Sequence, residues 1–232
     1  MPASAFKFLF FLSLAPIAAI HAQSLHIQND WKLVREKEGI KIYVRWVDVD
    51  GMKKVRQMRG EMTANASMGD MLYLLRDDQE GEKWVNRAVE FYHFDRENES
   101  VWHTYSELGI PWPFSNRDLV TKNNLHSRSD GSLFRIEINA VPNYVPQRKD
   151  VVRILHFEGS WTVESLPENR ISVAYEIVTK SDSFLPRSIT DPIVEKGFWT
   201  TLNQLRILAE ERGPSNAAST IHYSDEIKIA TK

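Results

Sequence analysis

The stretch from Asp191 to Arg212 constrains the fold more than any other part of the chain. Val194, Phe198, Thr201, Leu205 and Leu208 recur at alternating spacings of four and three, and Leu202 widens the stripe, so one face of a long helix is apolar. Asp191 suits the N-cap, Pro192 the first helical position, and Gly213-Pro214 stops the helix after Arg212. Such a stripe must be buried against something. Everything ahead of it reads as strands, apart from one short helix, so its partner has to be a sheet.

The strands declare themselves by alternation. In Gly39 to Asp48, Ile40, Ile42, Val44 and Trp46 share one face and Lys41, Tyr43 and Arg45 the other. Asp50-Gly51 is a hairpin turn, after which Lys53 to Met62 returns as a second strand. Ser67 then opens a short helix as N-cap, with Asp70 near its positive end and Met68, Met71, Leu72 and Leu75 as its stripe, ending by Asp77-Asp78. Six further strands are predicted over 86–95, 100–108, 117–126, 132–141, 151–164 and 170–180. The turns at 96–99, 129–131 and 167–169 are short enough for hairpins, so the sheet is antiparallel. Phe134, Ile136, Ile138 and Ala140, like Ile171, Val173, Tyr175 and Ile177, mark one dry face. The expected class is α+β: a curved antiparallel sheet around one long C-terminal helix.

Lys7, the apolar run Phe8 to Ile20 broken late by Pro16, and the small residue Ala22 read as a signal peptide over residues 1–22. The run is short of the roughly 20 residues a spanning helix needs, although an uncleaved N-terminal anchor is the other reading. A single domain is expected over 23–212, followed by a polar tail over 213–232, with export to the periplasm or the medium. The chain has no cysteine, so disulfides, thiolate chemistry and cysteine-bound metal are excluded. Charge is nearly balanced, with 29 Lys plus Arg against 31 Asp plus Glu, which argues against nucleic acid as a partner. A monomer is expected. Asn65-Ala-Ser67 and Asn98-Glu-Ser100 match the glycosylation sequon, which matters only on a eukaryotic secretory route.

Two stretches carry a resemblance. Pro111-Trp-Pro-Phe-Ser-Asn-Arg-Asp-Leu-Val120 joins a Pro-rich turn to an Arg-Asp pair opening a strand, and Val151-Val-Arg-Ile-Leu-His-Phe-Glu-Gly-Ser-Trp-Thr-Val163 carries Val-Arg followed by Gly-x-Trp. In that order, ahead of the long helix, they resemble the START (StAR-related lipid transfer) family, over roughly Trp31 to Arg212. The resemblance implies a helix-grip fold with an internal hydrophobic cavity, and the binding and transfer of a lipid or other hydrophobic small molecule. It also implies a gate made by the last helix and the loop Pro142 to Asp150, with transient membrane contact there. Enclosure makes sense energetically: exposing a sixteen-carbon chain to water costs on the order of 13 kcal/mol at ~0.8 kcal/mol per CH₂.

Within that frame Trp102, Phe157, Trp161, Phe198 and Leu202 are candidate ligand contacts, with Phe184 and Trp199 also near the inner surface; by pattern alone these rings could equally fill a core. Arg153 shares a predicted face with Leu155, Phe157 and Trp161, where a guanidinium must find partners. It is a candidate polar anchor for the ligand, or one half of an internal ion pair with Glu107 or Asp118. Arg117 and Asp118 are neighbours on a strand and face opposite sides, so they are carried as a family signature with a structural role. The rival class is a helix-grip enzyme of the cyclase type, and a third reading is a filled-core interaction module. His93, His103, His126, His156, Glu90, Glu107, Tyr92 and Tyr105 are scattered. If Asp95 pairs with Ser100, His93 and His103 fall on different faces. No nucleophile elbow, phosphate loop or zinc motif is present, so no catalytic residue, cofactor or metal is expected.

Overall fold

The computed structural model describes residues 30–49, 52–77, 79–112, 114–179 and 187–213. The leader expected over 1–22, the tail beyond Gly213, the Asp50-Gly51 turn and Phe184 lie outside them. The elements run β1 (Lys32–Lys37), β2 (Ile40–Val49), β3 (Met52–Ala64), α1 (Met68–Arg76), α2 (Gly81–Trp84), β4 (Ala88–Asn98), β5 (Val101–Leu108), β6 (Arg117–Ser127), β7 (Leu133–Ala140), β8 (Val152–Arg153), β9 (Phe157–Leu166), β10 (Arg170–Thr179) and α3 (Arg187–Arg212). One sheet is ordered β1-β2-β3-β10-β9-β7-β6-β5-β4, antiparallel throughout, with β8 added in parallel beside β6. This is the expected helix-grip α+β architecture, with α1, α2 and α3 on one face of the sheet.

That inner face is built from the alternating apolar rows. Ile40 and Ile42 of β2, Met58 and Met62 of β3, Trp161 and Val163 of β9, and Val173 of β10 are all buried. From α3, Phe198, Leu202, Leu205 and Ala209 pack into the same core. Contact is closest at Gly60, where a Cβ would stand 2.2 Å from Leu202 Cδ1 and 2.8 Å from Phe198 Cε1. Only a residue without a side chain lets the helix settle there. The first helix begins as its sequence requires: Ser67 Oγ accepts from the Asp70 N–H while the Asp70 carboxylate accepts from the Ser67 N–H, a complete capping box. Behind it, Trp84 of α2 donates its indole N–H to the Leu74 carbonyl at 3.0 Å and meets Phe91 and Trp161 edge-on.

Five features depart from the sequence reading. The strand expected over 151–164 is broken: Val152 and Arg153 pair with Arg117 and Asp118, Ile154 to His156 are irregular, and β9 starts afresh at Phe157. The last helix begins at Arg187, so Asp191 is not its N-cap and Pro192 lies inside it. Asp191 instead pairs with Arg56 of β3 at 3.4 Å, a partner 135 residues distant in sequence. The edge strand β1 and the four-residue α2 were not anticipated. The β4–β5 register puts His93 opposite Thr104 and Phe94 opposite His103, two places from the expected pairing. A bulge beyond Phe94, with Asp95 at φ 43°, takes up the shift.

The Gly60 contact yields a direct test. Gly60→Val should lower unfolding stability by about 1–3 kcal/mol through overpacking, measured by denaturant titration; an unchanged midpoint would mean that α3 does not sit on β3 at this point.

Candidate functional site

The inward rows of the sheet do not stay buried along their length. On β7, Phe134 and Ile136 are buried but Ile138 is half-buried; on β9, Val163 and Trp161 give way to Gly159 and Phe157; on β10, Ile171 and Val173 give way to Tyr175 and Ile177. Strands β5 and β6 repeat the gradient, from Trp102, Thr104, Asn123 and Thr121 to half-buried Ser106, Leu108 and Leu119. The registers Ile138 to Gly159 and Gly159 to Ile177 put the changes on β7, β9 and β10 at one level, whereas β6 and β5 are still covered there, at Asn123 and Trp102, and lose cover only further along, at Leu119 and Ser106. At the other end α1, α2 and the second half of α3 close the face. The less covered end of the inner face is the one towards the first turns of α3 and the start of β6. Arg56 of β3 ties those turns down through Asp191 and Glu195.

Aromatic rings form the floor. Trp161 and Tyr175 stack with centroids 3.8 Å apart and planes 4° from parallel, and Phe198 of α3 stacks on the far side of Tyr175 at 5.2 Å. Burial raises the Tyr175 phenol, so it remains neutral. Deeper in, three polar side chains meet. Asn123 Nδ2 donates to Thr104 Oγ1 at 2.8 Å, and Thr104 Oγ1 lies 2.8 Å from His93 Nδ1. Burial, reinforced by the nearby Arg76 charge, pushes the His93 imidazole down to about 3, so it is neutral. The imidazole tautomer sets which of Nδ1 and the Thr104 hydroxyl donates in that bond. Arg76 itself lies over the Trp102 ring, 5.1 Å from its centroid.

Five of the six candidate contacts share this inner face. Trp161 and Phe198 bracket Tyr175, Leu202 and Phe198 press on Gly60, Trp102 lies at the closed end, and Phe157 is half-buried towards the less covered end with its ring against Gly159. Arg153 does not join them, because the break before β9 turns it to the outer face. There its Nε and Nη2 donate to Asp118 Oδ1 and Oδ2, each at 2.8 Å, and it also donates to the carbonyls of Pro142, Val145 and Pro146. The ion-pair alternative with Asp118 is the one the structure contains. Arg117 points inward, half-buried at the sheet end, while Asp118 points out, as alternation requires.

The loop expected beside the cavity mouth also belongs to the outer face. Val145 is buried among Tyr92, Phe94, Tyr105 and Val120. Arg148 donates to Glu90 and Glu107, and Tyr144 stacks on His103 with centroids 4.1 Å apart while donating to Asp95. His93 and His103 thus face opposite sides of the sheet. Among the described residues no cluster of three His, Asp or Glu could hold a metal ion. The site residues that sequence reasoning passed over are Thr104, Thr121, Asn123 and the Tyr175 hydroxyl, while His93 was weighed only as a catalytic or metal group. For β6 the signal was present: Leu119 and Leu125 fix the inward phase, and Thr121 and Asn123 are the polar residues between them.

No protein-family model matches the chain. An uncharacterised protein of Pseudomonas aeruginosa is 28% identical over 186 residues, 80% of this chain and 90% of that protein. Among solved structures, a STAR-related lipid transfer protein fragment from Xanthomonas axonopodis is 30% identical with a TM-score of 0.68, over 77% of this chain and 98% of that one. Human StAR-related lipid transfer protein 5 shares the fold at 16% identity and a TM-score of 0.66, over 80% of this chain and 89% of that one.

Two measurements test the geometry. Arg153→Leu strands the Asp118 carboxylate in a buried position and should cost about 3–5 kcal/mol of stability. The double variant Arg153→Leu, Asp118→Leu should recover much of that loss; equal losses would show that the ion pair is not the buried unit. His93 gives a pH dependence. In the unfolded chain it binds a proton below about 6.5, but in the fold only near 3. Stability should therefore fall as pH drops from about 6.5 towards 3, by up to ~1.4 kcal/mol per pH unit from this group. His93→Gln should flatten that slope in chemical denaturation between pH 7 and pH 4, and an unaltered slope would count against a buried neutral imidazole.

Proposed function

The chain belongs to the START (StAR-related lipid transfer) family, and on that premise we propose that it binds a lipid or another hydrophobic small molecule between the sheet and α3. The observation that carries the proposal is the gradient of burial: β7, β9 and β10 lose cover at one level, and β5 and β6 further along, over an aromatic floor, beneath the helix. Such a concave, mostly apolar surface with a few fixed polar groups is what a small hydrophobic ligand requires. The first turns of α3, held to β3 through Arg56, act as the movable side of the opening. The loop of residues 142–150 is clamped to the outer face, so the 109–116 loop takes its place as the neighbour of the gate.

The same reading extends to membrane contact and transfer. Trp112 is 92% exposed on the 109–116 loop, with Phe114 also exposed, and the Val152 N–H donates to the Asn116 carbonyl, bringing exposed Val152 alongside. On α3, Ile193 is exposed in the turns that close the opening. Amphipathic aromatic groups of this kind favour a membrane interface, where a carrier has to open. Binding is proposed in preference to cyclase-type catalysis: an imidazole near 3, like that of His93, is too weak a base to serve at neutral pH. With the leader read in residues 1–22, this work is done outside the cytoplasm, in the periplasm or the medium, by a monomer.

Native mass spectrometry of protein beginning at Gln23, followed by solvent extraction, tests the proposal. A lipid at one per chain is the expected result. An empty protein that also takes up no lipid from vesicles would overturn the reading. Acceleration of labelled-lipid exchange between vesicles would separate a carrier from a storage protein.

A further inference from the structure

The inner face carries polar groups of one kind. Among the described residues no hydrogen bond engages the Tyr175 hydroxyl, the Thr121 hydroxyl or the Asn123 Oδ1; Asn123 spends its Nδ2 on Thr104 Oγ1 and the Trp102 carbonyl. Tyr175 is the best placed of the three. Its ring is fixed between Trp161 and Phe198, yet the side chain keeps intermediate exposure at the level where the sheet opens. Burial raises its phenol, which therefore offers both a donor and an acceptor throughout the neutral range.

None of these three groups is charged, and the charges nearby are already engaged or at the rim. Arg56 is paired with Asp191 and Glu195, and Arg117 is half-buried at the sheet end. The buried Arg76 at the closed end is turned onto the Trp102 ring, with Glu99 at 3.7 Å. An ionised head group brought into this space would give up water for neutral dipoles, a loss of several kcal/mol without a counter-charge. A hydroxyl or carbonyl oxygen would instead complete hydrogen bonds that the protein leaves unmade.

We infer that the occupant is an uncharged lipid bearing a hydroxyl or carbonyl oxygen, with Tyr175 as the residue that selects it and Thr121 and Asn123 as further polar contacts. The inference rests on the proposal that a hydrophobic ligand is enclosed here, and it adds the chemistry by which one ligand is chosen over another. The aromatic stack aligns the Tyr175 hydroxyl, and the hydrocarbon lies along Ile138, Phe157 and Ile177.

Three matched probes distinguish the outcomes by fluorescence titration: pyrene-decane, pyrene-decanol and pyrene-decyl phosphate. The alcohol should bind about threefold to tenfold more tightly than the hydrocarbon, the gain of one neutral hydrogen bond, and the phosphate most weakly. Tyr175→Phe should remove the preference, so that the variant binds the alcohol and the hydrocarbon alike. Thr121→Val, a second conservative variant, should reduce the same ratio by a smaller factor. A phosphate bound as tightly as the alcohol overturns the inference, as does an alcohol-to-hydrocarbon ratio that neither variant alters, and in both cases enclosure itself stands. Uptake of none of the three probes overturns the enclosure and the inference together.

Discussion

The structure depends on how α3 is held to the sheet, by close contact at one end and by an ion pair at the other. Gly60 sets the close end. Without a side chain there, Leu202 and Phe198 reach the β3 backbone, and the second half of the helix seals the inner face with Leu205 and Ala209. Towards its start the helix is held by side chains instead. Arg56 reaches out to Asp191 and Glu195. The helix is thus anchored by van der Waals contact at one end and by an ion pair at the other, and the core and the proposed site are continuous rather than separate constructions.

The outer face solves a different problem. A sheet this large exposes a second surface, and over β4 to β6 that surface is aromatic: Tyr92, Phe94 and Tyr105. The 141–153 segment covers it with Val145 and fastens itself with two arginines, Arg148 to Glu90 and Glu107, and Arg153 to Asp118. Exposed pairs of this kind contribute little, but Arg153 and Asp118 are both buried, so removal of either leaves a charge without solvent. The Arg-Asp signature at the start of β6 is thereby explained in structural terms: Asp118 fixes the strap that forms the back of the sheet.

Much of this was legible in the sequence because period-two alternation reports which face of a strand is dry. The rows of β2, β7 and β10 and the Ser67–Asp70 cap could be read directly, since each is decided by neighbours within a few residues. What could not be read was decided at long range. Val151, Arg153, Leu155 and Phe157 are in phase on paper, but the pull of a buried carboxylate 35 residues away interrupts the strand at Ile154 to His156 and turns Arg153 over. Asp191 and Pro192 look like a helix start, yet the partner of Asp191 is Arg56 on another element. The four residues of α2 are too few for any period to show. Polar residues in an inward row, Thr121 and Asn123, were visible only once β6 had been placed in phase with its neighbours.

The rings of Trp161, Tyr175 and Phe198 have an optical consequence. Two of them belong to the sheet and the third to α3, so the stack bridges the sheet and the helix. Parallel chromophores at 3.8 Å couple their electronic transitions, whereas rings further apart absorb independently. Trp84 approaches the same Trp161 edge-on from α2, which ties the emission of a second indole to the same point. The chain therefore contains a built-in chromophore whose near-ultraviolet dichroism reads the position of the helix without any label.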